Sequence, residues 1–183
     1  MRIGNRSFHP SLGCFRSIVQ VPFATIRRPN VILDVDNTLA EPLYDHLVPD
    51  EILAALEAAR KSGYIQQICL LSNMVVPHWP RRERRLERIA EMVGAEFVVR
   101  AYWPFLKPRI EPFYRAIDLM SVDIRRIGSV VMIGDQLHTD IRGGNAAGVA
   151  TIKVAPLGQD PFWVAGKRRQ EEVFMRAQGL EHV

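Results

Sequence analysis

The stretch Asp34-Val35-Asp36-Asn37-Thr38 places two carboxylates at positions i and i+2, with a hydroxyl two residues further on. In extended chain, residues two apart point the same way, so a turn after them can aim both carboxylates at one atom. Three more polar clusters follow: Ser72-Asn73, Lys107-Pro108, and the run Gly134-Asp135-Gln136-Leu137-His138-Thr139-Asp140. Asp34, Asp36, Asp135 and Asp140 brought together repel one another unless a cation neutralises them. A ligand set of hard oxygens points to Mg2+. Lys107 and the Ser72 hydroxyl aimed at the same place imply an anionic substrate, with phosphate the first candidate.

Each cluster has an ordinary reading by itself. Asp34 to Asp45 resembles a calcium loop, but Leu39 stands where that loop requires glycine and Asp45 where it requires a bidentate glutamate. Ser72-Asn73 suits a loop start or helix cap. Lys107-Pro108 suits a solvated helix start, and Asp135 and Asp140 suit caps facing a positive helix end. His138 reads as a surface residue, and Gly143, Gly144 and Asn145 as tight backbone packing. All four clusters in this order, each at the end of an expected strand or the start of an expected helix, is what the ordinary readings do not explain.

The elements that must position them are visible as apolar periodicity. Five apolar, β-branched runs, Val31–Val35, Ile68–Leu71, Phe97–Val99, Val130–Ile133 and Ala150–Val154, lack alternation and suit strands covered on both faces. Helical patterns lie between them. One opens at Pro49-Asp50, carries Ile52, Leu53, Leu56 and Ala59 on one face and ends at Gly63. Another, Arg81 to Val93, places Leu86, Ile89, Ala90 and Val93 together. A third follows Pro108 with Phe113, Ile117 and Met120, and a fourth runs from near Thr139 to Gly148. Alternating strands and helices predict an α/β fold with right-handed crossovers, whose ligands bind beyond the carboxyl ends of the strands. No internal repeat or low-complexity run interrupts the pattern.

With 183 residues, 48% apolar and 24% charged, the chain has the length and composition of one globular domain. Cys14 and Cys69 form no CxxC pair, which argues against a disulfide scaffold and a cysteine-ligated zinc site and favours a reducing compartment. The longest uncharged stretch, Ser62 to Pro80, is broken by polar residues and prolines and does not read as a membrane span. Charge is uneven: Met1 to Leu33 holds Arg2, Arg6, Arg16, Arg27 and Arg28 and no acidic residue. Three readings of this arm stand: contact with an anionic membrane, a transit-type leader to an organelle, or an ordinary segment packed beside the first strand. Without the leader, the expected location is cytoplasmic, with or without peripheral membrane contact.

The four clusters together resemble the haloacid dehalogenase (HAD) superfamily, with DVDNT from Asp34 as motif I, Ser72 as motif II, Lys107 as motif III and the GDxxxxD of Gly134 to Asp140 as motif IV. The strings DVDNTL, LLSN, LKP and GDQLHTDIRGGNAAGVATIKV are similar to the YqeG-type subfamily IIIA, which includes phosphatidylglycerophosphate phosphatases. The resemblance runs from Asn30 to Pro156. It implies a Rossmann-like three-layer sandwich around a mostly parallel five-stranded sheet as a catalytic domain over 30–156; outside it the chain is expected to carry a basic arm over 1–29 and a helical tail over 157–183 packing on that domain. Leu39 to Ile68 and Met74 to Leu106 are too short to hold a large cap domain. The bulky Tyr102 to Leu106 and an apparent insertion, Val75 to Trp79, depart from the pattern near the mouth of the site.

The resemblance further implies a phosphomonoester hydrolase. Asp34 is the expected nucleophile, forming an aspartyl-phosphate, and Asp36 the group that protonates the leaving oxygen and then activates water. Mg2+ is expected on Asp34, the Asp36 backbone carbonyl and Asp135, with Asp140 behind them orienting Lys107. Ser72 and Lys107 stabilise phosphoryl charge, while Thr38 and Asn73 line the substrate side. A lipid headgroup leads as substrate, with sugar phosphates and nucleic-acid termini as alternatives. The Arg81–Arg88 run, with its interspersed glutamates, reads as a solvated, salt-bridged helix face and does not favour nucleic acid. A non-catalytic binding module is a third class, but it usually lacks a nucleophile or a ligand and none is missing here. An oligomer is open, since a neighbouring subunit could supply a lid.

Overall fold

In the computed structural model, residues 6–42, 48–74, 79–160 and 162–182 are described. Residues 75–78 of the expected insertion Val75 to Trp79, and also Asp45 and Arg2, lie outside them. The five expected strands form as β2 (Asn30–Leu33), β3 (Gln67–Asn73), β4 (Phe97–Ala101), β5 (Val130–Gly134) and β6 (Ala150–Val154). They join a short β1 (Cys14–Phe15) in one sheet of order β1-β6-β5-β2-β3-β4, every pair parallel. The helices are α1 (Phe23–Ile26), α2 (Asp50–Lys61), α3 (Pro80–Val93), α4 (Glu111–Leu119), α5 (Arg142–Ala147) and α6 (Phe162–Ala177).

Helices cover both faces of the sheet, and the strands divide their side chains between them. Val31 and Leu33 of β2 face one layer with Ile52, Leu56, Leu86 and Ile89 of α2 and α3. Ile32 faces the other, with Phe113, Ala116 and Ile117 of α4. All three β2 residues are fully buried, which is why these runs lack alternation. Burial of each such side chain contributes about 1.5–3 kcal/mol. β2 sits between β5 and β3, with Leu33 paired to both Ile133 and Leu70, so three carboxyl ends meet at one place. That edge carries the polar clusters.

The sixth strand was not expected. Cys14 and Phe15 pair with Lys153 and Val154 at the edge of the sheet, and Ile18, Val21 and Phe23 enter the core. A two-residue strand is too short to leave a readable alternation. The described part of the basic arm therefore packs as body of the fold. Phe23 is buried, Phe15 lies against the core, and Phe8 packs with His138 and Phe174. None of these three aromatics stands free to enter a bilayer. The large exposed aromatics are elsewhere: Trp79, Trp103 and Phe105, at 50%, 78% and 51% exposure, on the loops that follow β3 and β4.

Candidate active site

Asp34 is the first residue after β2, and its N–H still donates to the Ile133 carbonyl of β5 at 3.0 Å. The chain then folds tightly back: the Val35 carbonyl accepts from the N–H groups of Leu39 and Ala40 at 3.0 and 3.1 Å. Asn37 takes the left-handed conformation this requires, at φ 64°, which asparagine tolerates better than most residues. Its side chain is fixed as well, donating to Asp160 Oδ1 at 2.8 Å and accepting from the Gly158 N–H at 3.0 Å.

Lys107 arrives from the loop between β4 and α4. Its ammonium donates to Asp34 Oδ1 at 2.5 Å, Asp140 Oδ1 at 2.7 Å and the Leu71 carbonyl at 3.0 Å. All three donors of the ammonium are used, and the side chain is only 2% exposed. Asn73, at the end of β3, binds the Lys107 backbone at both polar groups, accepting from its N–H at 2.8 Å and donating to its carbonyl at 3.3 Å. Its amide thus holds the backbone of the lysine loop. Ser72 beside it is buried. Asp140 is held from its other side by the Gln136 N–H, at 3.0 Å.

Asp135 is completely buried at the end of β5. Its Oδ2 accepts from Arg168 of α6, and its backbone carbonyl accepts from Arg168 Nη1 at 2.6 Å and Lys153 Nζ at 2.7 Å. Asp160 holds Arg168 in turn, accepting from Nε at 2.7 Å. Two carboxylate oxygens are left facing the centre, Asp34 Oδ2 and Asp135 Oδ1. They lie 3.4 and 3.5 Å from the Thr38 hydroxyl, whose single proton serves one at a time.

Burial dominates the electrostatics. It pushes the Asp34 carboxyl well above the usual carboxylate range, against the pull of Lys107. Burial also pushes Asp135 up to about 7, against the pull of Arg168. For Lys107 burial works toward neutrality, but Asp140 and Asp34 prevail and hold the ammonium above its ordinary value. Oxygens of Asp34, Asp135 and Asp140 lie within 4.8 Å of one another; these three buried carboxylates pair directly with Lys107 and Arg168, Lys153 lies close behind Asp135, and Arg168 is shared with Asp160 and Glu171. Excess negative charge on oxygen ligands fits a hard divalent cation.

Asp36 is placed differently. Its carboxylate leaves the buried cluster and accepts from two arginines of α3, Arg82 Nη2 at 2.5 Å and Arg85 Nη1 at 2.8 Å. The Arg81–Arg88 run is therefore not simply a solvated face: Arg84 and Arg88 are exposed, while Arg82 and Arg85 turn to the site. They lie three residues apart, a spacing that shares one helix face, and this register was the readable signal. Arg168 was missed because Lys167, Arg168 and Arg169 look alike in sequence, and only the helix phase selects the middle one for burial. His138 is half-buried, stacks on Phe8 and donates its N–H to Glu171 at 2.8 Å. A cavity of about 310 Å³ lies there, lined by Phe8, Leu137, His138, Lys167, Gln170, Glu171 and Phe174 and by none of the clustered carboxylates.

Three comparisons bear on this arrangement. The family described as HAD-hydrolase-like matches residues 106–160, the segment that holds Lys107, Asp135, Asp140 and Asp160. The probable phosphatase YqeG of Bacillus subtilis (strain 168) is 31% identical over 142 residues, which span 78% of this chain and 73% of that protein. In fold, the chain is similar to a crystal structure of a Listeria monocytogenes serotype 4b protein, with a TM-score of 0.54 at 19% identity, covering 80% of this chain and 98% of that one.

Proposed function

The chain belongs to the YqeG-type HAD hydrolases and is a phosphatase; from that premise we propose that it hydrolyses phosphomonoesters with Mg2+ through an aspartyl-phosphate on Asp34. The observation that carries this reading is the buried Lys107 ammonium bound to both Asp34 and Asp140. A lysine so fixed supplies positive charge where the transferred phosphoryl oxygens must lie, at no cost in reorganisation during the step. Asp34, Asp135 and the Asp36 carbonyl would hold Mg2+, which when bound neutralises phosphoryl charge and lets one anion approach another.

Asp34 attacks phosphorus, and the bond to the leaving oxygen breaks as Asp36, which must take up a proton and turn from Arg82 and Arg85 for this step, protonates that oxygen. Asp36, now ionised, takes a proton from water, which attacks the aspartyl-phosphate, releases phosphate and regenerates Asp34. Thr38 keeps the two inward carboxylate oxygens in register. Ser72 and the neighbouring N–H groups hold phosphoryl oxygens. Asp140 orients Lys107, and Asn73 fixes its backbone.

A phosphorylated lipid headgroup is the substrate this site suits best. Among the described residues no large cap encloses the carboxyl edge of the sheet, and Trp79, Trp103 and Phe105 stand exposed on loops at that edge. Aromatic side chains at a rim favour the interface of a bilayer. A phosphomonoester panel with Mg2+ tests the reading, comparing phosphatidylglycerophosphate in mixed micelles with glycerol 3-phosphate, sugar phosphates and 5′-phosphorylated oligonucleotide. Release of phosphate that chelation abolishes is expected, fastest from the lipid. Equal rates on soluble sugar phosphates would overturn the lipid preference, and no release from any ester would overturn the hydrolase.

A further inference from the structure

The steps above assign no contact with substrate to the arginine pair of α3. Arg82 and Arg85 both donate to the Asp36 carboxylate, and Arg85 Nη2 also donates to the Glu41 carbonyl at 2.9 Å. Among the described residues, Arg82 and Arg85 share one carboxylate as their ion-pair partner, so two cations face a single anion there. Arg85 Nε is in addition buried without a hydrogen-bond partner. A buried donor left unpaired is unfavourable until an acceptor reaches it. Arg82 is 31% exposed in its side chain, so solvent and solutes reach the pair.

We infer that Arg82 and Arg85 form a second oxyanion subsite, which takes a further phosphate group of the same substrate whose monoester lies at Asp34. Guanidinium groups suit this task, because their planar forks match phosphate oxygens two at a time. Asp36 is two residues from Asp34, a chain length that spans at most about 7 Å. The arginines that hold Asp36 thus stand beside the Asp34 site, where a second phosphate on a short linker is the group placed to reach them. Asp36 holds the arginines in place until that group arrives and shares them afterwards. This inference rests on the phosphatase reading and adds to it the residues that select the substrate.

The shared chemistry is a monoester with a phosphodiester a few bonds away, which a lipid headgroup and its soluble deacylated form both offer. The test measures kcat/KM of the full chain with Mg2+ on three substrates: glycerol 3-phosphate, soluble glycerophosphoglycerophosphate, and phosphatidylglycerophosphate in mixed micelles. The unaltered chain is expected to prefer the soluble diester-bearing compound over glycerol 3-phosphate by about tenfold or more, mainly through KM. The double variant R82Q/R85Q loses that ratio, whatever its absolute rates, and R82K/R85K keeps part of it. A preference seen only with the micellar lipid would assign selection to the bilayer and overturn the subsite. An unchanged ratio in R82Q/R85Q, with slower turnover of every substrate, would also overturn it and leave the pair as a support for Asp36.

A second measurement does not depend on the variants folding. Glycerophosphoglycerol, which has the diester and no monoester, should inhibit glycerol 3-phosphate hydrolysis competitively in the unaltered chain. Absence of inhibition at concentrations far above the substrate KM overturns the subsite while hydrolysis itself persists, so the phosphatase reading is judged separately.

Discussion

Arg168 grips Asp135 at two points, with one guanidinium nitrogen on the carboxylate Oδ2 and another on the backbone carbonyl at 2.6 Å. Only Oδ1 is left to face Asp34 and Thr38. The last helix of the chain thus decides which oxygen of this carboxylate enters the centre, and Asp160 and Asn37 extend the same chain of contacts to the motif I loop.

Replacing Arg168 by glutamine should lower Mg2+ affinity about 10–100-fold, because groups that orient a ligand act on the metal through it. It should also lower stability by about 3–5 kcal/mol, since Asp135 is then buried without its charge partner. Arg168→Lys keeps the charge but not the fork and should fall between. Calorimetric titration of Mg2+ and denaturant melts check both, and unchanged affinity in Arg168→Gln would remove Arg168 from the site.

Asp34→Asn should abolish turnover while the cooperative melt survives, because Lys107 keeps Asp140 as its counter-ion. Beryllium fluoride with Mg2+, a mimic of the acyl-phosphate, should inhibit the unaltered chain. Residual hydrolysis by the variant above background, or indifference to the fluoride, would point to direct attack by water.

The raised Asp135 carboxyl has a consequence for stability with a definite sign. Its ordinary value is near 4, and in the folded chain it lies at about 7. Between these the folded state holds a proton that the unfolded state has released, so this group favours folding at low pH and the contribution is lost as pH rises. Asp34, raised also by burial, acts in the same direction. Metal-free protein should therefore lose melting temperature between about pH 4 and pH 7 relative to Asp135→Asn. Mg2+, which favours the ionised carboxylates, should flatten that slope. Parallel profiles for the two proteins would contradict it.

Gly143 lies under Phe113 and Pro108, next to the residue that matters for charge. A Cβ there would sit 2.4 Å from Phe113 Cε2 and 3.1 Å from the Pro108 Cα. Gly143→Ala should cost about 1–3 kcal/mol of stability by overpacking, and also lower kcat by displacing the Lys107 loop. A denaturant midpoint with matched kinetics tests it. A loss of stability with full activity would show that the loop yields independently.

Membrane contact should depend on the aromatic rim rather than on the arm's aromatics. Co-sedimentation with phosphatidylglycerol vesicles at low salt is expected, weakened by salt and by Trp103→Ser/Phe105→Ser. Protein left in the supernatant at low salt would end the membrane part of the proposal and leave the hydrolase standing.

Much was legible in the residues themselves. Apolar runs without alternation marked five of the six strands; burial on both faces leaves that trace in β2, β3, β5 and β6, while the edge strand β4 is only half-buried. Charged or hydroxyl residues just past their ends marked Asp34, Ser72 and Asp135, because a polar group at a strand exit from a greasy sheet has few ordinary reasons to be there. Lys107 was legible by its company rather than by its type.

Other features had no local trace. β1 is two residues long, and no period can be read from two residues. Arg168 and its neighbours Lys167 and Arg169 are chemically alike; burial of one depends on where α6 lies against the Asp135 loop. Asp36 shares its spacing with Asp34, yet the turn through Asn37 and the nearness of α3 send its carboxylate to Arg82 and Arg85. The amino-acid sequence by itself determined five of the six strands, the clustered aspartates with Lys107, and the order in which they meet at one sheet edge, because these follow from burial and local spacing. Only the tertiary structure decided which cation faces which carboxylate, because such pairings join residues far apart in the chain through the packing of whole helices.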